Sequence, residues 1–205
     1  MNTGRVDFEA RAFSWRLNIL LYGLIAGLIS SLCISSTILL TEKLIGVPVG
    51  IFYLVITDAL LHSSSTSITY ALSGLSFHLI TGSLLGLAIA IPFSITKKFF
   101  LRLTKYSQLY GAAAGLVIWI LFFVPISLLV VLPETSQLSM VVLQKTPTGL
   151  ITSLDMKNLK STIWEIIILA IPFNIFYGLV TGILLKCFNE RYMHSLTPIE
   201  TKVLK

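Results

Sequence analysis

HLITGSLLG (residues 78–86) and NIFYGLVTG (residues 174–182) share one skeleton: a polar side chain, then glycine four and eight residues later. His78, Gly82 and Gly86 match Asn174, Gly178 and Gly182 at an offset of 96 residues. Residues four apart lie on one face of a helix, so each stretch puts a polar group and two glycines on a single stripe. Upstream of the first stretch, Tyr22-Gly23-x3-Gly27 matches Tyr110-Gly111-x3-Gly115, upstream of the second, at an offset of 88. The same order therefore occurs twice, as expected of a duplicated helix pair.

The surroundings of these stretches set the class. The chain is 55% hydrophobic and 12% charged, with a mean hydropathy of +0.89, whereas soluble domains carry roughly 25% charged residues. Four apolar runs, Leu17–Leu40, Ile68–Ile95, Leu109–Leu132 and Ile163–Leu185, each reach the roughly 20 residues that cross a bilayer. The first run is 24 residues long, against roughly 7–15 for the core of a cleaved signal, and is expected to stay as a transmembrane helix. The expected fold is an all-α integral membrane protein, a single transmembrane domain over residues 1–205. Its four transmembrane helices form two parallel-repeated helix pairs, half 1 at about 17–95 and half 2 at about 109–186, followed by a cytoplasmic tail, 187–205.

Basic residues orient it. Eleven Lys and Arg fall in the N-terminal segment, the short 96–108 connection and the C-terminal segment, against four (Lys43, Lys145, Lys157, Lys160) on the other side. The positive-inside rule then places both termini in the cytoplasm of a multi-pass protein of the cell membrane. The isoelectric point of about 9.4 is a topology signal, and nucleic acid is not an expected partner. Lys97, Lys98 and Arg102 suit anionic lipid. The two outer connections, about 41–67 and 133–162, contain apolar stretches at 50–58 and Leu138–Leu143. Both stretches are too short to span, so short re-entrant or interfacial helices are expected there. A fifth span at 44–62 is the topological rival.

The glycines have a packing role in lipid, where small residues let helix backbones approach. Gly23, Gly27, Gly82, Gly86, Gly111, Gly115, Gly178 and Gly182 put a stripe on every helix, and Gly74 extends the second. Packing within the chain is the expected use, docking of another protein's helix the alternative. His78 lies about ten residues into its helix, where polar groups are costly. It is expected to make a structural hydrogen bond, with proton relay or metal binding as the sharper alternatives. Asn174 follows Pro172, which removes a backbone donor and kinks a helix, so its amide is expected to help satisfy the kink. Pro92 and Pro125 are further kink candidates.

The candidate metal ligands are Asp58, His62 and His78, a set that suits Zn, Fe or Cu. The Asp-x3-His spacing with a later His resembles the ligand set of the copper-binding C subunit of membrane monooxygenases. The resemblance covers those three residues alone, with a longer gap to the last. Against a metal site, His62 is expected at the outer surface and His78 roughly 15 Å deeper. Glu165 and Trp164 fit a helix N-terminus and an interfacial belt, and His194 is expected in solvent. Cys33 and Cys187 are expected at different levels, which opposes a disulfide, and Cys187 is a palmitoylation candidate. Phosphate-loop, nucleophile-elbow and zinc-helix motifs are missing from the sequence.

These residues specify architecture more than chemistry. No cofactor and no catalytic residue is expected. The leading expectation is a non-catalytic accessory or structural subunit of a larger membrane-bound enzyme or respiratory-type complex, with membrane lipids and other transmembrane subunits as partners. The alternatives are a small-solute transporter or channel with its site between the repeat halves, and a metal-containing subunit of a membrane oxidoreductase.

Overall fold

A computed structural model describes residues 3–46, 48–61, 68–131 and 156–195. All regular structure among them is helical: α1 (Thr3–Ile45), α2 (Ile51–Leu61), α3 (Ile68–Ile95), α4 (Lys97–Lys105), α5 (Ser107–Ile118), α6 (Val124–Ile126) and α7 (Met156–Ser195). Two π-helical turns, Trp119–Phe123 and Ser127–Val131, flank α6, so the chain stays helical from Ser107 to Val131 with locally widened turns. Pro125 sits between them, and its missing N–H and bulky ring account for the departure from α geometry.

Four helices are long and apolar enough to cross a membrane: Trp15–Leu44, Ile68–Ile95, Ser107–Leu129 and Ile167–Tyr192. Each overlaps one of the four apolar runs. The helices themselves run further: α1 has 43 residues and α7 has 40, against apolar runs of about 20. Hydropathy marks only the lipid-compatible part, while the helix propagates into polar flanks of Glu, Arg, Lys and Ala, which are good helix formers. Large apolar side chains such as Leu17, Leu32, Leu84, Leu121 and Ile168 are exposed, as lipid-facing positions require.

The fifth-span rival is interrupted. Its residues are divided between the end of α1, a turn, and α2, whose 11 residues reach only about 16 Å. The turn holds Gly46 and Gly50 at φ +79° and +92°, a backbone region that glycine enters without steric cost. The short connection after α3 is also helical. Thr96 caps it, its hydroxyl accepting the Phe99 N–H at 3.2 Å. Residues 62–67 and 132–155 lie outside the described residues, and with them the Leu138–Leu143 stretch.

The contacts divide the chain into two compact units. The first comprises Met1–Cys33, Ile80–Gly115 and Ile175–Lys205, the second Ile34–Leu79 and Leu116–Asn174. The first buries Ile19, Ala26, Phe93, Phe100 and Leu185. The second buries Ile34, Tyr53, Ile118 and Ile167.

Candidate functional site

In the first unit, eight glycines bring helices into backbone contact. Where α1 crosses α3, a methyl group at Gly27 would stand 2.5 Å from the Gly82 carbonyl and 2.8 Å from Gly86 Cα. A methyl at Gly23 would meet Ala90 Cβ, and the Gly86 carbonyl at 2.8 Å. Where α5 crosses α7, Gly111 faces Gly178 and Gly182, and a methyl at Gly178 would stand 2.8 Å from the Gly115 N. A methyl at Gly182 would overlap the Ser107 carbonyl. Only residues without a Cβ allow such approaches.

Polar side chains stitch the same unit together. The Tyr177 hydroxyl, on α7, donates to the Gly82 carbonyl on α3. Thr181 Oγ1 lies 2.9 Å from Ser30 Oγ on α1 and 2.9 Å from its own helix's Tyr177 carbonyl. Ser83 on α3 donates to the Leu24 carbonyl at 2.9 Å. The Tyr22 ring packs on Phe188 and Tyr192 of α7, while the Tyr110 ring packs on Phe93 of α3 and its hydroxyl donates to the Ile89 carbonyl at 3.3 Å.

The second unit holds His78 and Asn174. His78 is met edgewise by Phe52 and Tyr53 of α2, at centroid distances of 6.0 and 5.9 Å, and its Nε2 is buried without a hydrogen-bond partner among the described residues. Gly74, one turn earlier on α3, lets α2 lie against α3: a methyl there would overlap the Tyr53 carbonyl. The Thr57 hydroxyl completes this contact by donating to the Tyr70 carbonyl at 2.7 Å. The N-terminus of α2 is held by Glu42 of α1, whose carboxylate accepts the Gly50 N–H at 2.6 Å and the Phe52 N–H at 2.9 Å. A carboxylate at a helix N-terminus also meets the positive end of the helix dipole. Burial, reinforced by the Glu42 charge, pushes the Tyr53 phenol above its ordinary value of 10.

Asn174 bonds within α7, its amide donating to the Ala170 carbonyl at 2.9 Å. Trp119, in the first π-turn, donates from Nε1 to the Ile167 carbonyl at 2.8 Å. Pro172 deprives the Ile168 carbonyl of its donor, and these two side chains donate to carbonyls on either side of it, at Ile167 and Ala170. No hydrogen bond joins His78 to Asn174 among the described residues. Of the metal candidates, His62 and the Asp58 side chain lie outside the described residues, as do the side chains of Glu165 and His194. No group of three metal-ligating side chains occurs among the described residues. Neither Cys33 nor Cys187 is in a disulfide, and both are exposed.

Sequence reading missed Glu42, Trp119, Tyr177 and Thr181. Tyr177 and Thr181 were within the repeated stretch, each beside a glycine, and that adjacency was their signal. Glu42 and Trp119 carried none, because their partners are backbone groups on elements distant in sequence. Searched against protein-family models, curated proteins and solved structures, the chain matches none.

Proposed function

We propose that this chain is a non-catalytic multi-pass membrane protein that serves as a structural or accessory subunit of a larger membrane-bound complex. The observation that carries the reading is the close packing at the two glycine crossings. The helices touch through backbone, Tyr177 and Ser83 direct their hydroxyls at neighbouring helices, and Thr181 reaches the Ser30 hydroxyl on α1. Side chains committed to packing in this way leave no polar path for a solute through either glycine crossing among the described residues. The glycine stripes are taken up inside the chain, so the partner meets the exposed apolar faces instead. The face of α5 and its π-turns, with Val117, Leu121 and Phe122 exposed, is the first such face to test.

The same reading includes the duplication. One half pairs α1 with α3 and the other pairs α5 with α7, each at a four-glycine crossing. The tyrosine that opens each half reaches the second helix of the other half: Tyr22 to α7, Tyr110 to α3. The length of α2 and its seat against Gly74 support a re-entrant or interfacial helix. The basic α4 end is assigned to the cytoplasmic side of the cell membrane, by the charge bias.

A second reading, a small-solute site centred on His78, is supported by one observation, the buried and unpartnered Nε2. The test of the first reading is purification of the tagged chain from native membranes in mild detergent, with a photo-crosslinking residue at Leu121. Co-migration with other transmembrane polypeptides, and a covalent adduct to one of them from position 121, are expected. A chain that migrates alone and crosslinks only to lipid overturns the subunit role. Loss of transport of a solute in His78→Ala would favour the second reading.

A further inference from the structure

A cavity of about 400 Å³ in the first unit is lined by Phe100, Thr104 and Lys105 of α4 and by Lys186, Asn189 and Glu190 of α7. The helix packing described above makes no use of it. Asn189 is completely buried in its wall, and neither its amide nitrogen nor its carbonyl oxygen has a partner among the described residues. The Thr104 hydroxyl is likewise buried and unpartnered. Buried polar side chains are nearly always hydrogen-bonded, so these groups call for a partner beyond the described residues, and a ligand in the cavity reaches both.

The surrounding charge selects that partner. Two ammonium groups line the cavity against one carboxylate, and Glu190 pairs with Lys186 only loosely, at 3.9 Å with both side chains part-exposed. Exposed Lys98 and Arg102 stand on the same short helix α4. A cation would meet two ammoniums, whereas an anion adds to the partners they already have, Glu190 beside Lys186 and the Tyr106 ring 5.3 Å from Lys105. A phosphate group offers several acceptor oxygens, enough for ammoniums, a hydroxyl and an amide N–H together. Phe100 supplies an apolar wall for the organic part of such a ligand.

We infer that this cavity binds a phosphate group, with Lys105 and Lys186 balancing its charge and Thr104 and Asn189 donating hydrogen bonds. The group is carried either by a phospholipid headgroup or by a soluble phosphate compound. Neither the subunit role nor the duplication is needed for this inference.

The experiment uses the full chain, delipidated in phosphate-free detergent buffer, in two arms. In one, inorganic phosphate is titrated. In the other, the chain enters nanodiscs of phosphatidylcholine with or without phosphatidic acid, and retained lipid is counted by native mass spectrometry. A lipid source predicts roughly tenfold enrichment of phosphatidic acid over phosphatidylcholine. A soluble source predicts saturable phosphate binding without lipid enrichment. In either case Lys186→Gln, a part-exposed site that leaves the fold intact, weakens binding several-fold, and Lys43→Gln in the second unit does not. Asn189→Leu also weakens binding while leaving the thermal midpoint equal or higher, because it removes an unpaired amide. Absence of binding in both arms, or wild-type binding by both Lys186→Gln and Asn189→Leu, overturns the inference.

Discussion

At the scale of single residues, two kinds of glycine separate by what a methyl group would do. At Gly27 it would strike the Gly82 carbonyl and Gly86 Cα, both backbone. Neither can move without parting α1 from α3. Gly27→Ala is therefore expected to lower unfolding stability in detergent by about 1–3 kcal/mol, the usual range for overpacking. At Gly46 a methyl meets nothing within 4 Å, but φ is +79°. Gly46→Ala is expected to cost only the left-handed penalty of about 1–2 kcal/mol, with the α1–α3 contact untouched. Thermal unfolding of the two variants, with disulfide trapping between cysteines placed across the crossing, distinguishes them. Trapping that persists unchanged in Gly27→Ala would refute the steric account. Glu42 acts through the helix it caps. Glu42→Ala leaves the Gly50 and Phe52 N–H groups unpaired, with an expected loss of about 1.5–3 kcal/mol for bonds to a charged acceptor. Faster hydrogen exchange at those two amides, with α5 amides unchanged, is the readout.

At the scale of elements, α4 and α2 are the informative pieces because each is short and docked. Phe100 is the buried anchor of α4, edge-on to Trp15 with centroids 5.6 Å apart. Phe100→Ala removes that anchor, and a loss of about 3–5 kcal/mol is ordinary for a buried phenylalanine. The visible consequence is new tryptic cleavage at Lys98, Arg102 and Lys105, together with a shift of Trp15 fluorescence. For α2 the lever is pH. The folded chain keeps the Tyr53 proton more tightly than the unfolded chain, whose phenol titrates near 10. Stability from Tyr53 is thus full below pH 10 and declines as pH rises above it. Tyr53→Phe is expected to abolish that alkaline decline, and a variant that declines like the wild type would remove Tyr53 as its source.

These elements also mark what the sequence made readable. The four spans and the glycine stripes were legible because hydropathy and four-residue spacing are local signals that tertiary structure did not override. Helix α4 hid inside a connection whose lysines and arginines dominated its reading, although Thr96 offered a cap. The setting of His78 was half legible. Its burial followed from Gly74 and Gly82, but the aromatic enclosure comes from Phe52 and Tyr53, whose position depends on Glu42 reaching across a glycine turn. The role given to Asn174 shows the same limit: the kink at Pro172 was readable, but not Trp119, which donates to the Ile167 carbonyl, 48 residues away and next to the one the proline frees.

At the scale of the whole molecule, the charge bias makes a topological prediction. In a chain whose two cysteines are replaced, a single cysteine at Lys98 is expected to react with a membrane-impermeant maleimide only after permeabilisation. One at Val49, exposed beside α2, is expected to react in intact cells. Labelling of both in intact cells would refute the orientation. The π-turns of the Pro125 region bear on what the molecule offers its surroundings. Along α5 the buried positions are Ser107, Gly111, Gly115 and Ile118. Unbroken α periodicity, about 100° per residue, would carry that face on to Phe122 and Ile126. Both are instead half exposed, and Phe123 and Ser127 turn inward, with Ser127 only 7% exposed. The wide turn at Trp119–Phe123 acts as a phase slip of one residue. It trades Phe122 and Ile126 to the outside for Phe123 and one hydroxyl inside. Deleting a single residue there would restore the phase and exchange inner and outer surfaces for the rest of the helix.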